Sequence, residues 1–209
     1  MKIGIFGSSG FAREALDIAI AMNFVPYLIL KDDEYKVSPT KYNTIYEKDL
    51  IENDFDGFAI GVGSNDIRKK ISEKYKHLNW INLIHPSVTF GYDMENIIPN
   101  SKGLIFCAGT RLTNSIKFGN FVILNLNSTI GHDCIIESYV NLSPGAHVSG
   151  NVHIGDCTWL GTNCSVNNGY PDEKLIIPDN TIIGSGAVVT KTLSKQGIYV
   201  GAPARILKK

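Results

Sequence analysis

From Phe106 onward the chain carries a bulky apolar residue at every sixth position: Leu112, Phe118, Leu124, Ile130, Ile136, Leu142, Val148, Ile154, Leu160 and Val166. Four residues after these beats stand Thr110, Ile116, Val122, Ser128, Cys134, Val140, Ala146, Val152, Thr158 and Cys164, mostly small or β-branched. On an α-helix each step of six rotates the side chain by about 600°, about 120° short of two turns, so no helical face can hold the beat. A β-solenoid can hold it. Each hexad forms one side of a coil, the beat residue fills the interior, and neighbouring coils exchange backbone hydrogen bonds. The beat jumps from Val166 to Ile177 and resumes at Ile183 and Val189, so NNGYPDEKL is expected to leave the coil as a loop.

The N-terminal part has a different rhythm. KIGIF, residues 2–6, reads as a buried strand; GSSG follows, and then FAREALDIAIAM, in which Phe11, Ala15, Ile18, Ala19 and Met22 mark one helical face. Val25 to Leu30, Phe58 to Val62 and Asn79 to Ile84 are strand-like, with Ile67, Ile71 and Tyr75 at helical spacing between the last two. The alternation predicts a small parallel sheet with ligands at the carboxyl ends of its strands, where Gly7, Ser8, Asp32 and Ser64 stand. GSSG supplies only Gly7 and Gly10, because Ile5 occupies the place of the first glycine of GxGxxG. Backbone N–H groups at the start of the helix could hold a phosphate, and Asp32, with Asp33 beside it, could accept hydrogen bonds from a ribose or base. A tight turn and a solvated acidic loop account for the same residues equally well.

Bulk properties narrow the partners. With 20 Lys plus Arg against 20 Asp plus Glu in 209 residues, there is no electrostatic footprint for nucleic acid or a membrane surface. Apolar runs such as Phe121 to Leu124 fall far short of the roughly 20 residues that cross a bilayer. The N-terminus runs straight into glycines and a charged pair, which favours a cytoplasmic protein. Cys107, Cys134, Cys157 and Cys164 form no CxxC pair and are expected as buried free thiols.

The hexad run, with IIPDNTIIGSGAVVTK and a terminal YVGAPARI, resembles the hexapeptide-repeat acyltransferases, whose repeats wind a left-handed β-helix with about three hexads per coil. The GSSG unit, GSNDIRKK, the HPS stretch near Ser87 and ILNLNSTIGHDCII resemble the bacterial sugar N-acetyltransferases related to the pilin-glycosylation and perosamine enzymes. The resemblance implies an α/β plus β-solenoid fold: a Rossmann-like nucleotide-sugar-binding domain over 1–83 and a left-handed β-helix acyltransferase domain over 84–209. It further implies a homotrimer that moves acetyl from acetyl-CoA to the amine of a nucleotide-linked 4-amino-4,6-dideoxy sugar.

His132 and Asp133 stand two and three residues after the beat at Ile130. A His-Asp pair in a repeat is often a surface turn, but the resemblance implies His132 as general base with Asp133 orienting it. An amine attacking a thioester becomes acidic, and a neutral imidazole can remove its proton as the tetrahedral intermediate forms. Adjacent side chains diverge on a regular strand, so the pair requires a corner of the coil. Gly150, one coil of eighteen residues beyond His132, is implied as the N–H that meets the thioester carbonyl. Asn125 is implied near the acceptor amine, and Thr162 and Ser185 in the CoA groove. Asn141 is a substrate-side position; there, and at Phe11, relatives carry histidines that this chain lacks. His147 and His153, one hexad apart, open a metal-site reading like that of the γ-class carbonic anhydrases, but no metal is expected. O-acetylation of a sialic-acid-like sugar and a non-catalytic sugar-binding role are the alternatives.

Overall fold

The computed structural model describes residues 1–31 and 41–207. Four parallel strands open the chain: β1 (Lys2–Phe6), β2 (Val25–Leu30), β3 (Thr44–Tyr46) and β4 (Gly57–Ile60), in the order β3-β2-β1-β4. After β1 the chain runs through helix α1 (Gly10–Ala21) to β2 on one side, and later returns to β4 on the other. The loops after β1 and β4 therefore diverge and leave a crevice. Helix α2 (Asn65–Lys74) follows β4, with the Ser64 hydroxyl accepting the Ile67 N–H at 3.5 Å as its N-cap.

The rest is a left-handed, three-sided parallel β-helix. Its first face stacks Leu83–Ile84, Ile105–Phe106, Ile123–Leu124, Asn141–Leu142, Trp159–Leu160, Ile182–Ile183 and Ile198–Val200. Arg111–Leu112, Thr129–Ile130, His147–Val148, Ser165–Val166 and Val188–Val189 form the second. Lys117–Phe118, Ile135–Ile136, Val152–Ile154 and Leu175–Ile177 form the third. Register is one coil of eighteen residues: Ile130 pairs with Val148, Ile136 with Ile154 and Leu142 with Leu160. Each corner is named here for the face that precedes it.

The corners explain why the period is six. The third residue after the beat is left-handed at Gly109, Ser115, Phe121, Asn127, Asp133, Tyr139, Gly145, Asn151, Cys157 and Asn163, with φ between 55° and 79°. One such residue swings the chain onto the next face, at a cost of roughly 1–2 kcal/mol where it is not glycine, less for Asn or Asp. Every beat residue from Phe106 to Val166 except half-buried Phe118 is buried, as are all ten residues one position after the turn. Polar members of that second set bond to nearby carbonyls: Ser128 Oγ donates to the Asn125 oxygen at 2.8 Å and Thr158 Oγ1 to that of Pro178 at 3.1 Å. Cys107, Cys134 and Cys164 are buried as expected, whereas Cys157, itself a left-handed corner residue, is half-buried.

The two parts share a core. Ile105, Cys107 and Ile123 point outward from the first face and pack against Ile3, Ile5, Ala12 and Ala15. The spacing of Ile67, Ile71 and Tyr75 correctly marks a helix, yet the buried positions of α2 are Asn65, Arg68 and Ser72. Arg68 is fully buried: Nε donates to the Phe121 oxygen at 2.8 Å, Nη1 to those of Val62 and Gly63 at 3.0 and 2.9 Å, and Nη2 to that of Tyr139 at 2.7 Å. Burial pushes its pKa down to about 10, still well above neutrality, so the cation persists and is solvated by carbonyl dipoles. Phe121 and Tyr139 are both left-handed corner residues, and their rings stack with centroids 5.4 Å apart. The predicted strand Asn79 to Ile84 divides: Trp80 bridges to Phe58, while Leu83 pairs with Ile105 in the solenoid. Replacing Arg68 by Met leaves the Phe121, Val62 and Tyr139 oxygens without their donor, while that of Gly63 keeps Asn141 Nδ2, and is expected to cost at least about 3 kcal/mol in urea unfolding, against near-neutrality for Lys70→Met on the same helix.

Candidate active site

His132 and Asp133 occupy the second corner. Because Asp133 is left-handed, with φ 58°, the two neighbouring side chains come to the same side, and His132 Nδ1 lies 2.7 Å from Asp133 Oδ2. An ionised carboxylate only accepts, so Nδ1 carries the proton and the lone pair of the neutral ring is on Nε2. Both side chains are a little over half exposed, at 56%.

Gly150 lies directly over the imidazole. A Cβ built on Gly150 would sit 2.5 Å from His132 Nε2 and 2.6 Å from Cε1, so only glycine leaves room for the ring in this position. The stacking is fixed from the backbone side by the Asn151 N–H, which donates to the His132 oxygen at 2.7 Å. The Gly150 N–H is already engaged: it donates to Asn168 Oδ1 at 3.2 Å. Asn168 belongs to the insertion after Val166. This segment does leave the coil, turning through a Tyr170–Glu173 bridge before Leu175–Ile177 rejoins the third face. It folds back on the His132 corner, where Lys174 Nζ donates to the Asp133 oxygen and, at 2.7 Å, to Asn151 Oδ1. Neither Asn168 nor Lys174 was singled out from the sequence. A signal existed, since Val166 stands in the column of Ile130 and Val148, so any insertion after it must emerge at this corner.

Cys134, next to the pair, is no nucleophile. Its Sγ donates to the Ser149 oxygen at 3.2 Å, and burial pushes the thiol up to about 11.

The other expected site residues fall elsewhere. Asn125, Thr162 and Ser185 are all on the first corner; Thr162 and Ser185 are exposed and one coil apart, joined by the Gly186 N–H donating to the Thr162 oxygen at 2.9 Å. Asn125 Oδ1 accepts the Leu126 N–H at 2.7 Å. Asn141 is buried on the first face, where its Nδ2 donates to the Gly63 oxygen at 3.0 Å and its Oδ1 has no partner. His147 Nδ1 is 2.9 Å from Thr129 Oγ1, and His153 Nε2 is 3.0 Å from Glu137 Oε1.

Gly7, Ser8 and Ser64 come together as expected, at the crevice between the loops after β1 and β4, which opens into a cleft of about 660 Å³. Gly7 has φ 137° and no space for a Cβ, which would lie 2.8 Å from the Gly61 oxygen. Gly10 begins α1 and does not line the cleft; a Cβ there would meet only Arg13 Nη2 at 3.9 Å. Ser9, which lines the cleft, caps α1 without a side-chain hydrogen bond. Ile67, Ile71 and Tyr75, whose spacing drew attention to α2, line the cleft with Lys31, Lys70 and Lys74. Glu47 accepts from Lys74 Nζ and Tyr75 Oη; burial raises its carboxyl, but these bonds more than offset that and hold it below the usual range. Asp32 and Asp33 lie outside the described residues.

A small parallel α/β domain with a switch-point cleft, fused to a left-handed hexad solenoid, defines an architecture, and known proteins match it end to end. Residues 2–75 match the PglD N-terminal domain family. The GDP-perosamine N-acetyltransferase of Escherichia coli O157:H7 is 29% identical over 99% of this chain and 96% of its own length. The acetyltransferase domain of PglB from Neisseria gonorrhoeae FA1090 is 27% identical and superposes with a TM-score of 0.86 over 99% of both chains. The same domain solved in complex with acetyl coenzyme A is 26% identical with a TM-score of 0.84, covering 99% of this chain and 98% of that one. WeeI from Acinetobacter baumannii AYE is 29% identical, TM-score 0.84, over 99% of this chain and all of its own. Over its whole length, the chain is thus similar to the hexapeptide-repeat sugar N-acetyltransferases.

Gly150→Ala tests the site geometry without any substrate. The added methyl is expected to drive the imidazole off the corner and break the Nδ1–Asp133 bond, read as a change in the ring ¹⁵N shifts of His132. An unchanged imidazole spectrum in a folded variant would contradict the stacking.

Proposed function

We propose that this protein is a nucleotide-sugar N-acetyltransferase: it transfers acetyl from acetyl-CoA to the amine of a nucleotide-linked 4-amino-4,6-dideoxy sugar, with His132 as general base. The carrying observation is an imidazole whose Nδ1 is bound by Asp133, so that in the neutral ring the lone pair is on Nε2, in a side chain a little over half exposed. Similarity to an N-acetyltransferase across the whole chain, and to a domain solved with acetyl coenzyme A, supports the substrate pair.

The amine lone pair attacks the thioester carbon and the carbonyl π pair moves onto oxygen. Nε2 takes the proton that the nitrogen releases. The intermediate then expels the CoA thiolate, which recovers a proton from the imidazolium, and the amide is formed. Asp133 holds the ring tautomer and stabilises its cation. The Gly150 N–H receives the oxyanion, a kind of contact worth about 2.7–4 kcal/mol in a measured precedent. Transfer is direct, because the thiol nearest the corner is buried and protonated.

The nucleotide sugar lies in the 1–83 domain, its phosphates at the α1 N-terminus near Gly7, Ser8 and Ser64, and Lys31 and Lys70 supply charge. Gly10 contributes only as the first residue of that helix. Asp32 and Asp33 retain their proposed role toward the ribose or base. Asn141 and Asn125 act toward the acceptor sugar. The 84–209 solenoid carries the acyl chemistry. Thr162 and Ser185 sit on the first corner while His132 and Gly150 sit on the second, so a neighbouring protomer that brings its first corner alongside would let a CoA held by the former meet the latter. This separation supports a homotrimer. Two soluble substrates, both CoA- or nucleotide-linked, suit a cytoplasmic setting, and no helix among the described residues is long and apolar enough to cross a membrane.

Thiol release from acetyl-CoA, followed with UDP-, dTDP- and GDP-linked 4-amino sugars, tests the proposal. One nucleotide sugar is expected to turn over, and His132→Ala to lower kcat at least about a hundredfold with the fold intact. Turnover of a sialic-acid-like hydroxyl acceptor instead, or near-normal activity of the variant, would refute it. Light scattering is expected to give three times the chain mass; a fully active monomer would contradict the shared site.

A further inference from the structure

The Asn168 carboxamide occupies a place that the proposed reaction needs vacated. Its Oδ1 lies 3.2 Å from the Gly150 nitrogen, as an amide carbonyl oxygen accepting the N–H that the proposed mechanism reserves for the thioester oxygen. One N–H cannot serve both oxygens at full strength. We propose that Asn168 is a specificity-determining residue of the acyl-donor site, standing in for the thioester carbonyl in the free protein and released by it when an acyl-CoA, but not CoA itself, binds. This rests on the reading of the Gly150 corner as the acyl site.

The surroundings show which part moves. The backbone of the insertion is pinned on both sides of its turn: the Gly169 N–H donates to the Gly150 oxygen at 3.0 Å and the Leu175 N–H to the Asn151 oxygen at 3.1 Å. Asn151 Nδ2 in turn donates to the Tyr170 oxygen, and Lys174 binds Asn151 Oδ1 and the Asp133 oxygen. Asn168 itself is exposed, so its side chain can rotate away without disturbing that framework. The exchange replaces one carbonyl acceptor by another and leaves the His132 ring where it is.

A selectivity follows that neither a packing role nor a general role in CoA binding would give. CoA has a thiol in place of the acyl carbonyl and has no oxygen to compete for the Gly150 N–H. Its affinity is indifferent to Asn168, whereas acetyl-CoA pays for displacing it. Asn168 thus weakens the substrate relative to the product.

Isothermal titration of the whole protein with CoA and with acetyl-CoA measures this as the ratio of the two dissociation constants. Asn168→Ala is expected to tighten acetyl-CoA by about two- to tenfold, the worth of one ordinary hydrogen bond, with CoA affinity unchanged. Asn168→Asp, whose carboxylate grips the N–H more strongly, is expected to shift the ratio the opposite way, and taking the ratio cancels its repulsion of the CoA phosphates. A ratio in Asn168→Ala equal to that of the unmodified protein, or shifted toward CoA, would overturn the assignment even with acetyl-CoA bound normally. Failure of the unmodified protein to bind acetyl-CoA at all would overturn the acyl-site reading together with this one.

Discussion

The left-handed residue three positions after each beat is the constraint from which the rest of this structure follows. It turns the chain from one face of the coil to the next, sets the period at six, and stacks corresponding corners eighteen residues apart. It also decides which side chains can meet at a corner. On a regular strand His132 and Asp133 would point to opposite sides; with φ 58° at Asp133 they share a hydrogen bond. The same conformation at Phe121 and Tyr139 turns two carbonyls toward Arg68 and so anchors the α/β domain. A single backbone state, repeated, builds the scaffold, orients the imidazole and provides the docking point.

Burial distributes the chemistry. Desolvation holds Cys164 inside the coil and Cys107 between the coil and the α/β domain as protonated thiols, both pushed up to about 12, which removes them as nucleophiles. At the second corner the imidazole stays half open, next to a backbone N–H that a side-chain oxygen keeps satisfied. The polar inner face of α2 reverses the usual pattern: its guanidinium is solvated by carbonyls rather than by a carboxylate, and this frees Ile67, Ile71 and Tyr75 to face the cleft beside β1 and β4.

Much of this was legible in the sequence, and the parts that were not share a cause. Period six names the solenoid because core filling repeats with the backbone, and the stacking of Gly150 over His132 follows from counting eighteen residues. The parallel sheet and the positions of Gly7, Ser8 and Ser64 came from strand and helix rhythm. Arg68 could not be read this way, since apolar spacing reports which residues are greasy, not which surface another domain will cover. The strand from Asn79 to Ile84 was divided by tertiary pairing that no local pattern encodes. Asn168 was hidden because an insertion carries no periodicity, although the column of Val166 fixed the corner from which it emerges. At Gly10 the motif's glycine answers no steric need, since a Cβ there would meet only Arg13 Nη2.

The proposed chemistry depends on where His132 Nε2 points when both substrates are in place. A crystal structure of the assembly with CoA and the nucleotide-linked amino sugar measures this directly. The prediction is a sugar nitrogen within about 2.6–3.2 Å of Nε2, with Nδ1 still bonded to Asp133. A sugar amine beyond the reach of Nε2, or an imidazole turned to bond its own backbone, would contradict it.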